Sequence, residues 1–142
     1  MTPDDEKFLR RAIELALTSR AEGDAPFGSI LVGPDGTVLA EDHNTVLSEG
    51  DITAHPELKL ARWAARTLTD SQAAQTTMYT SCQPCPMCTG AIDRAGLSRV
   101  VYALSDAQLD ELKPSTAGFS PVPRHGPALF DEARAAVEGY YH

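Results

Sequence analysis

Helical and strand-like segments alternate along most of this chain. Apolar residues repeat every three or four positions from the cap residue Thr2 to about residue 21, which predicts a first helix. The same spacing predicts helices over 56–68, 86–95 and 128–138, and short apolar runs predict strands over 27–32, 37–41, 77–80 and 99–103. Strands separated by helices are typical of an α/β fold, in which helices cover both faces of a sheet that contains parallel pairs.

Three shorter features complete this pattern. Gly33-Pro34-Asp35-Gly36 is typical of a turn and predicts that the first two strands form a hairpin. Ser105 and Asp106 can cap a short helix that runs to residue 112. The segment 113–127 holds four prolines and two glycines, which predicts a loop. A length of 142 residues predicts one domain, spanning 1–142.

The charge of the chain bears on its partners. Twelve Lys and Arg against twenty Asp and Glu give a net charge of −8, with only three lysines. Nucleic-acid binding depends largely on Lys and Arg that neutralise phosphates, so we expect no nucleic-acid partner. No stretch approaches the roughly 18 consecutive apolar residues of a membrane span, and the acidic N-terminus is unlike a signal peptide. We therefore expect a cytoplasmic protein without a membrane partner.

The three cysteines are all placed between Cys82 and Cys88. An odd, tightly clustered set does not suit a disulfide framework and favours metal ligands or reactive thiols. His55 opens one predicted helix, and Cys85 and Cys88 open the next with a Cys-x-x-Cys spacing. One imidazole and two thiolates suit zinc, and three protein ligands leave a fourth position open, as in catalytic sites.

Glu57 stands two residues after His55 and is a candidate general acid and base rather than a ligand. Proton transfer by such a residue typically contributes about 10²–10⁴ in rate. His-x-Glu followed by Pro-Cys-x-x-Cys is the signature of zinc deaminases that act on nucleobases. The alternative is a structural zinc site with Cys82 as a fourth ligand, although Cys82 better fits a small buried residue at a strand end.

Longer motifs resemble a known family. They are Ala25-Pro26-Phe27-Gly28, Thr53-Ala54-His55-x-Glu57, Tyr79-Thr80-Ser81-Cys82-x-Pro84-Cys85-Pro86-Met87-Cys88 and Gly90-Ala91-Ile92. The chain resembles the cytidine-deaminase-like superfamily, in the branch that holds guanine, cytosine and tRNA adenosine deaminases. The resemblance implies a three-layer α/β/α sandwich around a mixed, roughly five-stranded sheet, a homodimer, and hydrolysis of an exocyclic amine to a carbonyl.

The resemblance also assigns residues to roles. It makes His55, Cys85 and Cys88 the Zn²⁺ ligands and Glu57 the proton shuttle. Asn44 matches an asparagine that binds substrate, and Phe27 matches the base pocket. Other interpretations are that Asn44 is a turn residue and that Phe27 is a core aromatic.

Further residues match the family less closely. Asp106 and Tyr141 match an acidic residue and a C-terminal aromatic that reach the site in guanine deaminases, with Tyr140 and His142 as alternatives to Tyr141. Their other interpretations are a helix cap for Asp106 and surface packing for Tyr141. Pro56 stands where relatives have a small residue and removes a backbone N–H, so we expect it to affect substrate choice. Gln83 replaces a glutamate that relatives usually carry.

These observations predict a zinc-dependent deaminase of a small nucleobase or related heterocycle, with guanine as the first substrate. A cytosine or other pyrimidine deaminase comes second and a tRNA adenosine deaminase third. A catalytically silent zinc-binding interaction module is the alternative from another class, although such a module has no need for Glu57.

Overall fold

The computed structural model describes residues 1–113 and 120–141. Their elements are α1 (Pro3–Ala21), β1 (Gly28–Val32), β2 (Val38–His43), α2 (Val46–Glu49), α3 (Pro56–Thr67), α4 (Asp70–Ala73), β3 (Thr77–Cys82), α5 (Pro86–Ala95), β4 (Arg99–Leu104), α6 (Asp106–Leu112) and α7 (Phe130–Val137). Every helix and strand predicted from the sequence is present, most of them within two residues of the predicted bounds. The one-turn helices α2 and α4 lie in polar segments to which the sequence assigned no element.

The sheet is mixed and has the strand order β2-β1-β3-β4. β1 pairs antiparallel with both β2 and β3, whereas β3 and β4 are parallel. The expectation of roughly five strands is wrong for the described residues, which form four. After β4 the chain turns into α6, and the described residues 120–129 form no strand. Their three prolines are poorly suited to one, because proline cannot donate to a β-ladder.

Helices cover the two faces of the sheet, as the α/β/α expectation requires. On one face, α1 packs against the strands through a buried cluster of Leu9, Leu15, Ile30, Val32 and Tyr79. On the other face, α3 and α5 pack together over a second cluster of Leu31, Leu60, Ala61, Ala64, Met78 and Ile92. Alternate residues of β1 and β3 therefore point to opposite layers.

Gly28 allows α1 to approach the start of β1 very closely. A Cβ at this position would lie 2.5 Å from the carbonyl oxygen of Ala12 and 2.5 Å from the Cβ of Leu15. Such distances are shorter than van der Waals contact, so any larger residue would push the helix away from the sheet. This close packing fixes the strand end that carries Phe27 and Ser29.

The C-terminal helix α7 buries none of its residues. Its apolar residues are exposed, among them Phe130 with 71% of its surface accessible and Val137 with 52%. Tyr141 is 78% exposed, and its place at the substrate pocket stays a prediction. Tyr140, the first alternative, is 80% exposed, and His142 lies outside the described residues.

None of the helices in the described part of the chain is both long and apolar enough to cross a membrane.

Candidate metal centre and active site

Helices α3 and α5 begin next to each other and carry the predicted metal ligands at their first residues. His55 is the N-cap of α3 and Cys85 is the N-cap of α5. Each cap is followed by a proline, Pro56 or Pro86, which suits the first helical position because an N–H there has no partner within the helix. The sequence thus starts both helices at the residues that form the site.

The three predicted ligands converge. The Nδ1 atom of His55 lies 3.7 Å from the Sγ of Cys85 and 3.4 Å from the Sγ of Cys88. All three ligand atoms lie within 4.8 Å of one another. At usual zinc bond lengths, nitrogen and sulfur ligands of a tetrahedral site are about 3.5 Å apart, so the donor set and its spacing fit zinc.

Cys82 does not belong to this ligand group in the part of the chain that the structure describes. It is buried at the end of β3, as the sequence predicted, and burial raises the pKa of its thiol. A site with three protein ligands has the open coordination position of a catalytic centre. The arrangement therefore favours a catalytic zinc site over a structural one with four protein ligands.

Burial also raises the pKa of the Cys88 thiol, and the nearby Glu57 carboxylate raises it further. A metal that binds here displaces the proton of this thiol.

Glu57 is almost completely buried, with 6% of its surface exposed. Its Oε1 lies 3.0 Å from the hydroxyl oxygen of Ser29 and 3.1 Å from that of Thr80. Burial raises the pKa of this carboxyl group, and hydrogen bonding to the hydroxyls partly opposes that rise. A buried carboxyl group with a raised pKa beside a metal site is a candidate general acid and base.

Hydrogen bonds from its neighbours hold Asn44 in place and leave its side-chain NH₂ available to donate. Its backbone N–H donates to the carbonyl of Phe27, its carbonyl accepts from Ser19, and its Oδ1 accepts from the backbone N–H of Val46. Among the described residues no acceptor pairs with its side-chain NH₂, which is therefore free to donate to a bound molecule. The residue is also part of a turn, so both interpretations of Asn44 from the sequence agree with the structure.

Lys59 supports the same segment from α3. Its Nζ donates to Asp42 Oδ1 at 3.0 Å, to the carbonyl of His43 at 2.9 Å and to Thr45 Oγ1 at 2.9 Å. These three acceptors flank Asn44 on both sides. Sequence reasoning missed this contact, for which the only signal was a lysine on the helix that begins at the metal ligand.

A pocket of about 150 Å³ lies over the metal ligands. Its lining includes most of the predicted substrate-binding residues, namely Phe27, Asn44, Pro56 and Asp106, together with Glu57. Asp106 does not cap α6, because that cap is Ser105. The Asp106 backbone N–H instead donates to Oε1 of Gln83 at 3.0 Å. Gln83 thus fixes the helix that forms one wall of the pocket.

The fold and this site define a zinc-dependent hydrolase. The family model "Cytidine and deoxycytidylate deaminase zinc-binding region" matches residues 2–104, so the chain belongs to that family. Members of the family hydrolyse C–N bonds of exocyclic amines, and the chain is accordingly an enzyme of the zinc-dependent deaminase type.

Three relatives illustrate the range of the family. Guanine deaminase of Bacillus subtilis is 43% identical over 115 residues, which cover 80% of this chain and 70% of that protein. A probable cytosine deaminase of Schizosaccharomyces pombe is 31% identical, and the alignment covers 99% of this chain and 94% of that protein. A tRNA-specific adenosine deaminase of Haemophilus influenzae is 35% identical, and the alignment covers 72% of this chain and 59% of that protein.

Solved structures agree with the fold. The crystal structure of the Bacillus subtilis guanine deaminase matches with a TM-score of 0.80 and 32% identity, over 99% of this chain and 94% of that one. The expected α/β deaminase fold is therefore confirmed.

Proposed function

We propose that this enzyme deaminates a small free nucleobase, with guanine as the first candidate. The observation that carries the proposal is the small pocket in which Asn44 and Glu57 face the metal ligands. Its volume of about 150 Å³ is below the roughly 300–1,000 Å³ of ordinary ligand pockets, which favours a small substrate such as a free base. The similarity to the Bacillus subtilis guanine deaminase supports guanine in particular.

Each residue of the site has a distinct task in this proposal. His55, Cys85 and Cys88 would hold zinc, which would supply a water whose pKa is lowered to about 7. Glu57 accepts one proton of the attacking water and passes it to a ring nitrogen. It then transfers the second proton of that water to the leaving amine. Asn44 donates a hydrogen bond to an acceptor of the base, and Phe27 packs against the ring. The sum of these steps is amine plus water giving carbonyl plus ammonia.

Two other substrate classes remain as competing proposals. A pyrimidine base is supported by the probable cytosine deaminase of Schizosaccharomyces pombe, which matches nearly the whole chain. A tRNA adenosine is supported by the relative from Haemophilus influenzae, but the net charge of −8 is unfavourable for a surface that follows phosphates. A catalytically silent module is disfavoured by the burial and hydrogen bonding of Glu57.

An ammonia-release screen tests the proposal. The zinc-loaded protein is incubated with purine and pyrimidine bases, their nucleosides, pterins and triazines, and a tRNA anticodon stem-loop. We expect the highest kcat/KM with guanine, because the pocket accommodates a free base. Higher kcat/KM with cytosine or with the RNA would replace guanine by that substrate. Bound zinc without turnover of any compound would favour the silent module.

Pro56 provides a second test of specificity. It is fully buried, lines the pocket and has no N–H to offer to a substrate heteroatom. Pro56→Ala restores that donor, and one added hydrogen bond typically contributes about 0.5–1.5 kcal/mol, or a change of about 2-fold to 12-fold in relative kcat/KM. We expect the variant to change the ranking of substrates in the same screen. Pro86→Ala, the matched change at the start of α5, serves as the control, and an unchanged ranking in Pro56→Ala would refute this role.

We further propose a homodimer in a reducing compartment such as the cytoplasm. The apolar residues of α7 are exposed in one chain, and a second copy is the simplest partner that would cover them. The three free cysteines suit a reducing compartment. Sedimentation equilibrium should give twice the mass of one chain, and Phe130→Asp should lower the measured mass to that of one chain.

We also propose that residues 1–142 form a single domain.

A further inference from the structure

Two buried hydroxyl groups lie beneath the carboxylate of Glu57. Ser29 is the second residue of β1 and Thr80 the fourth of β3, and the two are direct partners in the antiparallel register. Both side chains have no accessible surface, and their oxygens are 2.8 Å apart. Both oxygens also lie within hydrogen-bond distance of Glu57 Oε1, at 3.0 Å for Ser29 and 3.1 Å for Thr80.

The number of protons restricts how these groups can bond. Each hydroxyl carries one proton, and two hydroxyl oxygens at 2.8 Å require a proton between them. One hydroxyl therefore donates to the other, and the second proton is directed to Glu57 Oε1. The remaining acceptor, the Gly28 carbonyl, is 3.4 Å from Thr80 Oγ1 and is the weaker choice. The result is a chain of two hydroxyls that ends on one carboxylate oxygen.

We propose that Ser29 and Thr80 are positioning residues, which fix the rotation of the Glu57 carboxylate beside the metal ligands. The hydroxyl chain holds Oε1 from the side of the sheet, so the plane of the carboxylate is set by β1 and β3. The terminal torsion of a glutamate is otherwise broad, and two hydrogen-bonded strands hold the donors in place. This inference rests on the proposed deaminase function of the same site.

The test compares Thr80→Val, which removes only the hydroxyl, with Thr80→Ser, which keeps it. We expect kcat per bound zinc to fall about 10-fold to 100-fold in Thr80→Val, because a misplaced catalytic group typically costs that much. KM should change little, since the interaction concerns the reacting proton rather than substrate binding. Thr80→Ser should recover most of the lost kcat, and Ser29→Ala should resemble Thr80→Val.

Thr76→Val is the matched control. Thr76 is also buried, at 1% exposure, but its hydroxyl donates to the carbonyl of Gln72, away from the site. This variant should keep wild-type kcat even if it lowers the melting temperature. Wild-type kcat in both Thr80→Val and Ser29→Ala, or a fall of equal size in Thr76→Val, would overturn the proposal.

A crystallographic comparison gives a readout that does not depend on turnover. In the zinc-loaded Ser29→Ala/Thr80→Val variant, we expect the Glu57 carboxylate to rotate or to adopt two orientations, against one in the wild type. An unchanged carboxylate would overturn the positioning role. Absence of ammonia release by the wild type would instead refute the proposed function, and the crystallographic result would still decide the role of the hydroxyls.

Discussion

Replacement of Glu57 by glutamine should lower kcat by about 10²–10⁴, the usual contribution of a general acid and base. The amide has nearly the same shape as the carboxyl group and can accept through its oxygen from Ser29 and Thr80, which now contact Oε1. It cannot take up a proton near neutral pH. Zinc content and melting temperature should therefore stay close to those of the wild type while turnover collapses. Steady-state kinetics of ammonia release, with metal analysis of the same samples, measure this effect.

Glu14→Gln is a suitable control for Glu57→Gln. Glu14 lies on α1 with 62% of its side chain exposed, where it pairs with Arg11. This change should leave kcat at the wild-type level. If Glu57→Gln retained full activity with full zinc, the assignment of Glu57 as the proton shuttle would be wrong.

Loss of one metal ligand should lower turnover as strongly as Glu57→Gln does, because the enzyme then loses its zinc. Cys88 is completely buried, and its Sγ lies 3.4 Å from Nδ1 of His55. Cys88→Ala leaves two ligands, which do not make a stable zinc site, so bound zinc and turnover should both fall to background. The melting temperature should no longer rise when zinc is added, because a ligand stabilises a fold only in proportion to its binding. Metal analysis and thermal unfolding with and without zinc provide the measurements.

Cys82→Ala separates the two kinds of zinc site. Cys82 is buried near the ligands but stands outside their group in the described residues. The variant should keep one zinc per chain. Loss of the metal from Cys82→Ala would mean that Cys82 is a fourth ligand, and the catalytic interpretation of the open position would then fail.

Local signals explain why the elements and the metal ligands could be predicted. Thr2 forms a capping box with Asp5 at the start of α1, and Thr2-Pro3 is visible as a cap in the sequence. His55, Cys85 and Cys88 lie at helix starts marked by Pro56 and Pro86. Because the three ligands belong to the first turns of two helices, their spacing along the chain already determines much of their geometry.

Contacts between distant segments explain what the sequence did not reveal. Ser29 and Thr80 meet Glu57 only because β1 and β3 pair in one particular register. A serine and a threonine inside buried strands were the only signal, and such residues also satisfy backbone groups in many sheets. Lys59 reaches the segment around Asn44 for a similar reason, since the approach of α3 to the end of β2 is a tertiary feature.

The C-terminal third of the chain is the part whose packing the sequence reveals least. The family resemblance implied roughly five strands, whereas the described residues form four. Tyr141 lies exposed beyond α7, and its role at the site stays a prediction. Periodicity predicts that residues 128–138 are helical, but it does not tell what the helix packs against. Its apolar face would be explained by the second copy in our proposal.

X-ray absorption at the zinc edge of the purified protein tests the metal centre most directly. The structure predicts two sulfur neighbours at about 2.3 Å and two nitrogen or oxygen neighbours at about 2.0 Å, with one zinc per chain. One of the light neighbours should exchange for an added inhibitor that carries a donor atom. Three sulfur neighbours, or no zinc after gentle purification, would contradict a site built from His55, Cys85 and Cys88 with an open position.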